Sequence, residues 1–177
     1  NPCDYNQTKA ATIAASKHSG PVYLRFGRPK VPNFIPENQE FIIGKAILLQ
    51  PGNDVSVFAA GHLVWRALEA CKVLKDKGIT AEIINIHTIK PLDVQAILDS
   101  VKKTGCAVSA EEHEMNGGLG DSIAQTLALH DPKPLEMVAV RDKFGESGTP
   151  DELIRKFNLD TPDIVEAALR AVKRKNK

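Results

Sequence analysis

From residue 44 onward, short apolar runs alternate with runs of helical period, and that alternation leaves few folds open. The runs 44–50, 55–59, 81–86, 106–109 and 135–140 are rich in aliphatic residues and short enough to be buried strands. A helix starting at Gly61 or His62 sets Val64, Ala67, Leu68, Cys71 and Leu74 on one face. It stops at Gly78, just after Lys75 and Lys77. A second helix, 93–103, turns Val94, Ile97, Leu98 and Val101 inward, and a third, 119–129, turns Ile123 and Leu127 inward. Thr149-Pro150-Asp151-Glu152 is a capping box with proline at the first helical position. Thr161-Pro162-Asp163 opens a last helix in the same way, running to about residue 173. Strands alternating with helices predict an α/β fold. It is a three-layer α/β/α arrangement around a mostly parallel five-stranded sheet. The turn at 51–54 is too short for a parallel crossover, which takes about a dozen residues. The first strand is therefore expected to run antiparallel.

The opening segment breaks the pattern. Asp4 is placed to cap a helix that runs to about His18 and ends at Gly20, and residues 21–26 read as a strand. Pro29, Pro32 and Pro36 then rule out regular structure and mark a linker. One helix and one strand cannot bury a core. Residues 1–35 are therefore expected to be the tail of a different domain plus a linker, and residues 36–177 a second domain. The absent sheet would come from a longer polypeptide or from another chain.

A net charge of +1 gives no reason to expect nucleic acid or a membrane surface as partner, and no apolar run nears 18 residues. The basic end, residues 170–177, reads as a frayed, solvated helix terminus. Cys3, Cys71 and Cys106 are odd in number and lack metal-ligand spacing; Cys71 and Cys106 read as core thiols, in keeping with a reducing cytoplasm.

The richest stretch for chemistry is 110–121, an acidic, glycine-rich strand-to-helix turn. Such a turn often cradles phosphate, since bare N–H groups meet a helix N-terminus. Here Glu111, Glu112, Glu114 and Asp121 surround it and would repel phosphate, so packing or subunit contact is expected. The three glutamates could hold a general acid or base, and a solvated acidic loop is the simpler reading. None of His18, His62, His87, His113 and His130 pairs at metal-ligand spacing. His62 lies at a strand-to-helix junction, where ligands of parallel sheets gather, with capping or interface packing as the alternative. His113, among carboxylates, is expected to have a raised pKa and a surface or interface salt link, with a role lining a site as the alternative. Ser109, Ser122 and Ser147 lack a nucleophile elbow. Arg28 follows a strand end and precedes a rigid proline. A guanidinium there suits phosphate or carboxylate, and a ligand role and a surface role are both open.

Several of these motifs occur together in one family. Residues 20–29 (GPVYLRFGRP), Gly44-Lys45-Ala46 and residues 86–93 (IHTIKPLD) belong to the set. So do Glu111-Glu112-His113 with Asn116-Gly117-Gly118-Leu119-Gly120, and residues 140–153 (VRDKFGESGTPDEL). With these motifs the chain resembles the C-terminal part of transketolase over essentially its whole length. The resemblance implies an enzyme that moves a two-carbon ketol unit between sugar phosphates with thiamine diphosphate and Mg²⁺ or Ca²⁺. Its active sites lie across a dimer interface between a diphosphate-binding and a pyrimidine-binding domain. It further implies that residues 1–35 close the pyrimidine-binding domain and that 36–177 form the C-terminal domain. Arg28 takes the position of the arginine that binds the substrate's phosphate. Family members carry Ser or Thr where this chain has Gly27, a local departure. No metal-and-diphosphate motif and no cofactor-activating glutamate are recognisable, so no catalytic, cofactor or metal residue is assigned. The chain alone is expected to be inactive and to need upstream domains, in the same polypeptide or in a separate subunit. Deoxyxylulose-phosphate synthases and 2-oxoacid dehydrogenase beta subunits share the architecture; a stand-alone α/β ligand-binding module and a purely structural assembly role are further alternatives.

Overall fold

The computed structural model describes residues 1–176. In chain order the elements are α1 (Tyr5–Lys17), β1 (Ile47–Gln50), β2 (Val55–Ala59), α2 (Leu63–Asp76), β3 (Ala81–Asn85), α3 (Val94–Thr104), β4 (Ala107–Glu114), α4 (Leu119–His130), β5 (Leu135–Val140), α5 (Pro150–Lys156) and α6 (Thr161–Lys175). The sheet order is β1-β3-β2-β4-β5. β1 runs antiparallel to β3, pairing Ile47 with Asn85, and the other neighbours are parallel. The expected α/β/α fold and the antiparallel first strand are both present. β1 does not lie beside its chain neighbour β2; the 51–54 turn carries the chain across to pair with β3.

Two apolar layers hold the sheet. On one face α2 and α6 bury Leu63, Val64, Ala67, Leu74, Ile164 and Ala168 against Val57, Ile83 and Val108. On the other, α3 and α4 bury Ile97, Val101, Leu119 and Ile123 against Phe58 and Ile84. β2 and β3 are buried along their whole length, which explains why they read as continuous apolar runs rather than alternating ones. The capping box at Thr149 forms as expected. At the last helix the cap is Asp160, one residue earlier than Thr161, with Asp163 completing the box. The basic end is not frayed through the described residues: Arg170 and Arg174 both bind Glu136, and Lys175 Nζ donates to the carbonyls of Asp54 and Thr104 at 2.6 and 2.9 Å. Lys177 lies outside the described residues.

The opening segment is only half attached. Asp4 is buried and fastens two parts of the chain: one carboxylate oxygen accepts from Gln7 N at 2.8 Å as the α1 cap, the other from Phe34 N and Ile35 N at 2.9 and 2.8 Å. Gln7 Oε1 accepts from Cys3 N and Asn85 Nδ2, both at 3.0 Å, which fixes the first turn of α1 to the end of β3. Past that turn Ala11 is the one residue of α1 still buried. The strand expected at 21–26 belongs to no sheet among the described residues, and Val22, Tyr23 (86% exposed) and Phe26 face solvent, as do Tyr5 and Ile13 of α1. A strand pattern needs a neighbour to become a strand, and here nothing supplies the ladder.

Candidate functional site

In a sheet of this order, β2 is followed by a helix on one face and β4 by a helix on the other, so their carboxyl ends splay around a crevice. Ligands of open parallel sheets bind at such switch points. The residues at these two ends are Gly61 and His62 after β2, and Glu111, Glu112 and His113 at the end of β4. Gly27 and residues 29–32 of the opening segment lie against the same crevice and bound, with His62, Trp65, His113 and α5, a cavity of about 820 Å³.

The acidic glycine turn resolves into a self-contained device. Glu111 is 4% exposed, and its two carboxylate oxygens accept from Leu119 N at 2.8 Å and Gly120 N at 2.9 Å, the first amides of α4. The turn does recognise an anion, and the anion is the chain's own side chain. A Cβ at Gly118 would fall 2.5 Å from Glu111 Oε2 and 2.4 Å from Glu114 O, so only glycine fits. Glu114 Oε1 accepts from Met115 N and Asp142 N, both at 2.9 Å, and Asp121 Oδ2 accepts from Gly117 N at 2.6 Å. The reading of a solvated acidic loop is thus corrected for Glu111. Burial pushes its carboxyl pKa up, opposed by the Gly120 and Leu119 amides and by nearby Arg25.

His62 and Glu112 meet across the crevice, with Nδ1 3.2 Å from Oε2 and both side chains mostly covered. His62 occupies the N-cap of α2 without capping it through its side chain. The expectation for His113 fails in direction: burial lowers its pKa, and Arg25 lowers it further, outweighing Glu112. His87 is buried, with Nδ1 2.9 Å from Thr88 Oγ1 and its ring centroid 4.1 Å from that of Phe41; burial pulls its pKa down to about 4. The three cysteines are free, and burial raises each thiol's pKa, so none is poised as a nucleophile. Among the described residues no three His, Cys, Asp or Glu side chains converge as a metal site.

Arg28 is exposed, while Gly27, Pro29 and Lys30 on either side of it line the cavity. Sequence reasoning missed Arg25, whose charge reaches Glu111 and His113, and missed the fit of Gly27 to His62. A glycine beside a run of otherwise extended residues was the available signal for the second.

The fold and the self-capped turn define an α/β/α domain whose switch-point crevice is partly covered by its own leading segment. Residues 44–164 match the family model described as the transketolase C-terminal domain, and the chain belongs to that family. It is 45% identical over 175 residues, 99% of its length, to a 6-deoxy-6-sulfo-D-fructose transketolase subunit of Clostridium sp. (strain MSTE9), covering 54% of that protein. It is 36% identical over 174 residues, 98% of its length, to an apulose-4-phosphate transketolase subunit of Phocaeicola vulgatus, covering 55%. A solved structure described as a split-gene transketolase, inactive beta4 tetramer, superposes with a TM-score of 0.95 at 39% identity, covering 98% of this chain and 57% of that one. The chain therefore spans about half the length of the relatives it matches.

Proposed function

We propose that this chain supplies the C-terminal portion of a transketolase-type enzyme, which transfers a two-carbon ketol unit between sugars bearing an acidic head group. The observation that carries this reading is the uncovered apolar side of residues 5–26, with Tyr5, Ile13, Tyr23 and Phe26 exposed around a strand-like stretch that has no partner. Residues 1–35 are read as the end of a pyrimidine-binding domain whose sheet lies upstream, in the same polypeptide or in a separate subunit, and 36–177 as the C-terminal domain. The matched relatives are named as subunits, which supports a second component. The assembled enzyme would be a homodimer of the pair, working in the cytoplasm.

Thiamine diphosphate with Mg²⁺ or Ca²⁺ would supply the carbanion chemistry. The described residues do not fit that cofactor, because the one glycine-rich helix start suited to a diphosphate already holds Glu111. Its pocket therefore belongs to the other domains. This chain's contribution is Arg28, whose guanidinium fork suits phosphate or sulfonate oxygens. The acidic groups in the substrates named for the two relatives agree with that role.

The test is reconstitution. The isolated chain should transfer no ketol unit from xylulose 5-phosphate to ribose 5-phosphate, and adding the N-terminal component should restore transfer. A pair that binds the cofactor but consumes pyruvate would instead be a deoxyxylulose-phosphate synthase or a 2-oxoacid dehydrogenase. A pair that stays inactive and shows no cofactor binding would overturn the reading.

A further inference from the structure

The C-terminal domain holds no recognisable catalytic group, yet its switch-point crevice is built around specific contacts to residues 25–30. The ring of His62 lies on the α-carbon of Gly27 so closely that an added Cβ would fall 2.0 Å from Cε1, 2.5 Å from Nε2 and 2.7 Å from Nδ1. No side chain fits at position 27 while the ring stays there. The ring is in turn set by Glu112, 3.2 Å away on β4. Ser, Thr, Asp or Asn at an N-cap spends its side chain on the helix amides, but His62 makes no such bond, so its ring is free to face the segment. The left-handed Gly61 (φ +58) comes just before it, a bend that a β-branched residue would resist.

One further contact fixes the segment, and one charge lies near it. Arg25 carries its charge close enough to Glu111 and His113 of β4 to be felt by both. At the far end, Asp4 holds the amides of Phe34 and Ile35 at 2.9 and 2.8 Å. Arg28 is exposed between these anchors, one residue beyond the point where the imidazole touches the backbone. The crevice that in such sheets takes a ligand here takes a peptide of the chain itself.

We infer that His62, held by Glu112 and seated on Gly27, is a positioning residue: it sets the backbone course that places the Arg28 guanidinium, and so governs selectivity for the acidic head group of the sugar. This rests on the reading of Arg28 given under the proposed function. It assigns the C-terminal domain a task in substrate recognition that needs none of its side chains to touch the substrate.

The test uses the complete enzyme, assembled with its cofactor-binding component. The quantity read is the ratio of kcat/KM for a ketose phosphate to that for the same ketose without phosphate. His62→Ala should lower that ratio about tenfold, since a displacement near 1 Å is costly even far from the chemistry, and mainly through KM for the phosphorylated sugar. Glu112→Ala should follow it, while Glu112→Gln, which keeps an acceptor, should stay near the parent. Gly27→Ala should lower the ratio at least as far, because the methyl and the ring compete for one space. In the Gly27→Ala/His62→Ala double variant the clash is gone, so the ratio should recover above that of Gly27→Ala alone, a non-additivity that general destabilisation does not produce.

Arg28→Ala separates the two layers. If it leaves the ratio unchanged, the phosphate role of Arg28 fails. If it lowers the ratio while His62→Ala and Gly27→Ala do not, Arg28 keeps its role and the positioning inference is overturned. Loss of activity toward both sugars alike in the His62 variant, without recovery in the double variant, also overturns it.

Discussion

Residues 44–176 and residues 1–43 obey the same physics with opposite results. In the first region each strand has a neighbour and each helix an apolar face to cover, and Phe58, Ile83, Leu63 and Ile164 are fully buried. In the second, one helix and one strand-like stretch carry the same residue types but leave Tyr23, Phe26 and Ile13 in solvent. The contrast teaches that a pattern specifies an element only when its partner is present. The leading segment is attached at its two ends and at one point between: Cys3 and Ile35 join the core, Asp4 and Gln7 fasten the foot of α1, and His62 meets Gly27.

The sharpest way to break this comparison is to cut into each region. Phe58→Ala, in the closed core, should cost about 3–5 kcal/mol of unfolding free energy by urea denaturation. A loss below about 1 kcal/mol would mean that the two-layer core is not the source of stability. Acid comes next. His87 is buried neutral, its pKa held at about 4 against an ordinary 6.5. The folded state therefore takes up its proton later than the unfolded chain does. The stability this neutral ring contributes is full above pH 6.5 and drains away down to pH 4, by about 3 kcal/mol in all. A pH titration of stability should show that slope, and His87→Gln should flatten it. Asp4→Ala removes a helix cap and strands two linker amides, so it should cost about 2 kcal/mol, with faster amide exchange at Phe34 and Ile35. At the small end, Tyr23→Ser should change the isolated chain by less than about 0.5 kcal/mol. The same variant should weaken assembly with the proposed upstream domains, as seen by size-exclusion titration.

Much of the closed region was legible because its signals are local. The 3.6-residue period of α2 and α3, the capping box at Thr149 and the glycine after Lys77 all act within a turn or two of chain. What escaped was set by contacts across the fold. β1 lies beside β3 because the 51–54 turn crosses over, which no residue type announces. Glu111 looked solvated because acidic runs usually are, yet it sits under two helix amides that only the folded turn brings to it. His113 sits among carboxylates in sequence but is partly buried in the fold, with Arg25 nearby, so its pKa moves the other way. The basic end of α6 is tied down by Glu136 and by the carbonyls of Asp54 and Thr104, all distant in sequence. Gly27 and His62 are 35 positions apart, and nothing in either neighbourhood predicts that one must lack a side chain for the other to fit.

Amide hydrogen exchange at residues 21–26, measured with and without the proposed upstream domains, tests the proposed partner most directly. Free of those domains, these amides should exchange at close to unprotected rates, while those of β2 and β3 exchange only on global unfolding. In the assembled enzyme the same amides should slow by orders of magnitude as the stretch enters a ladder. Strong protection in the isolated chain, or none gained on assembly, would contradict the account.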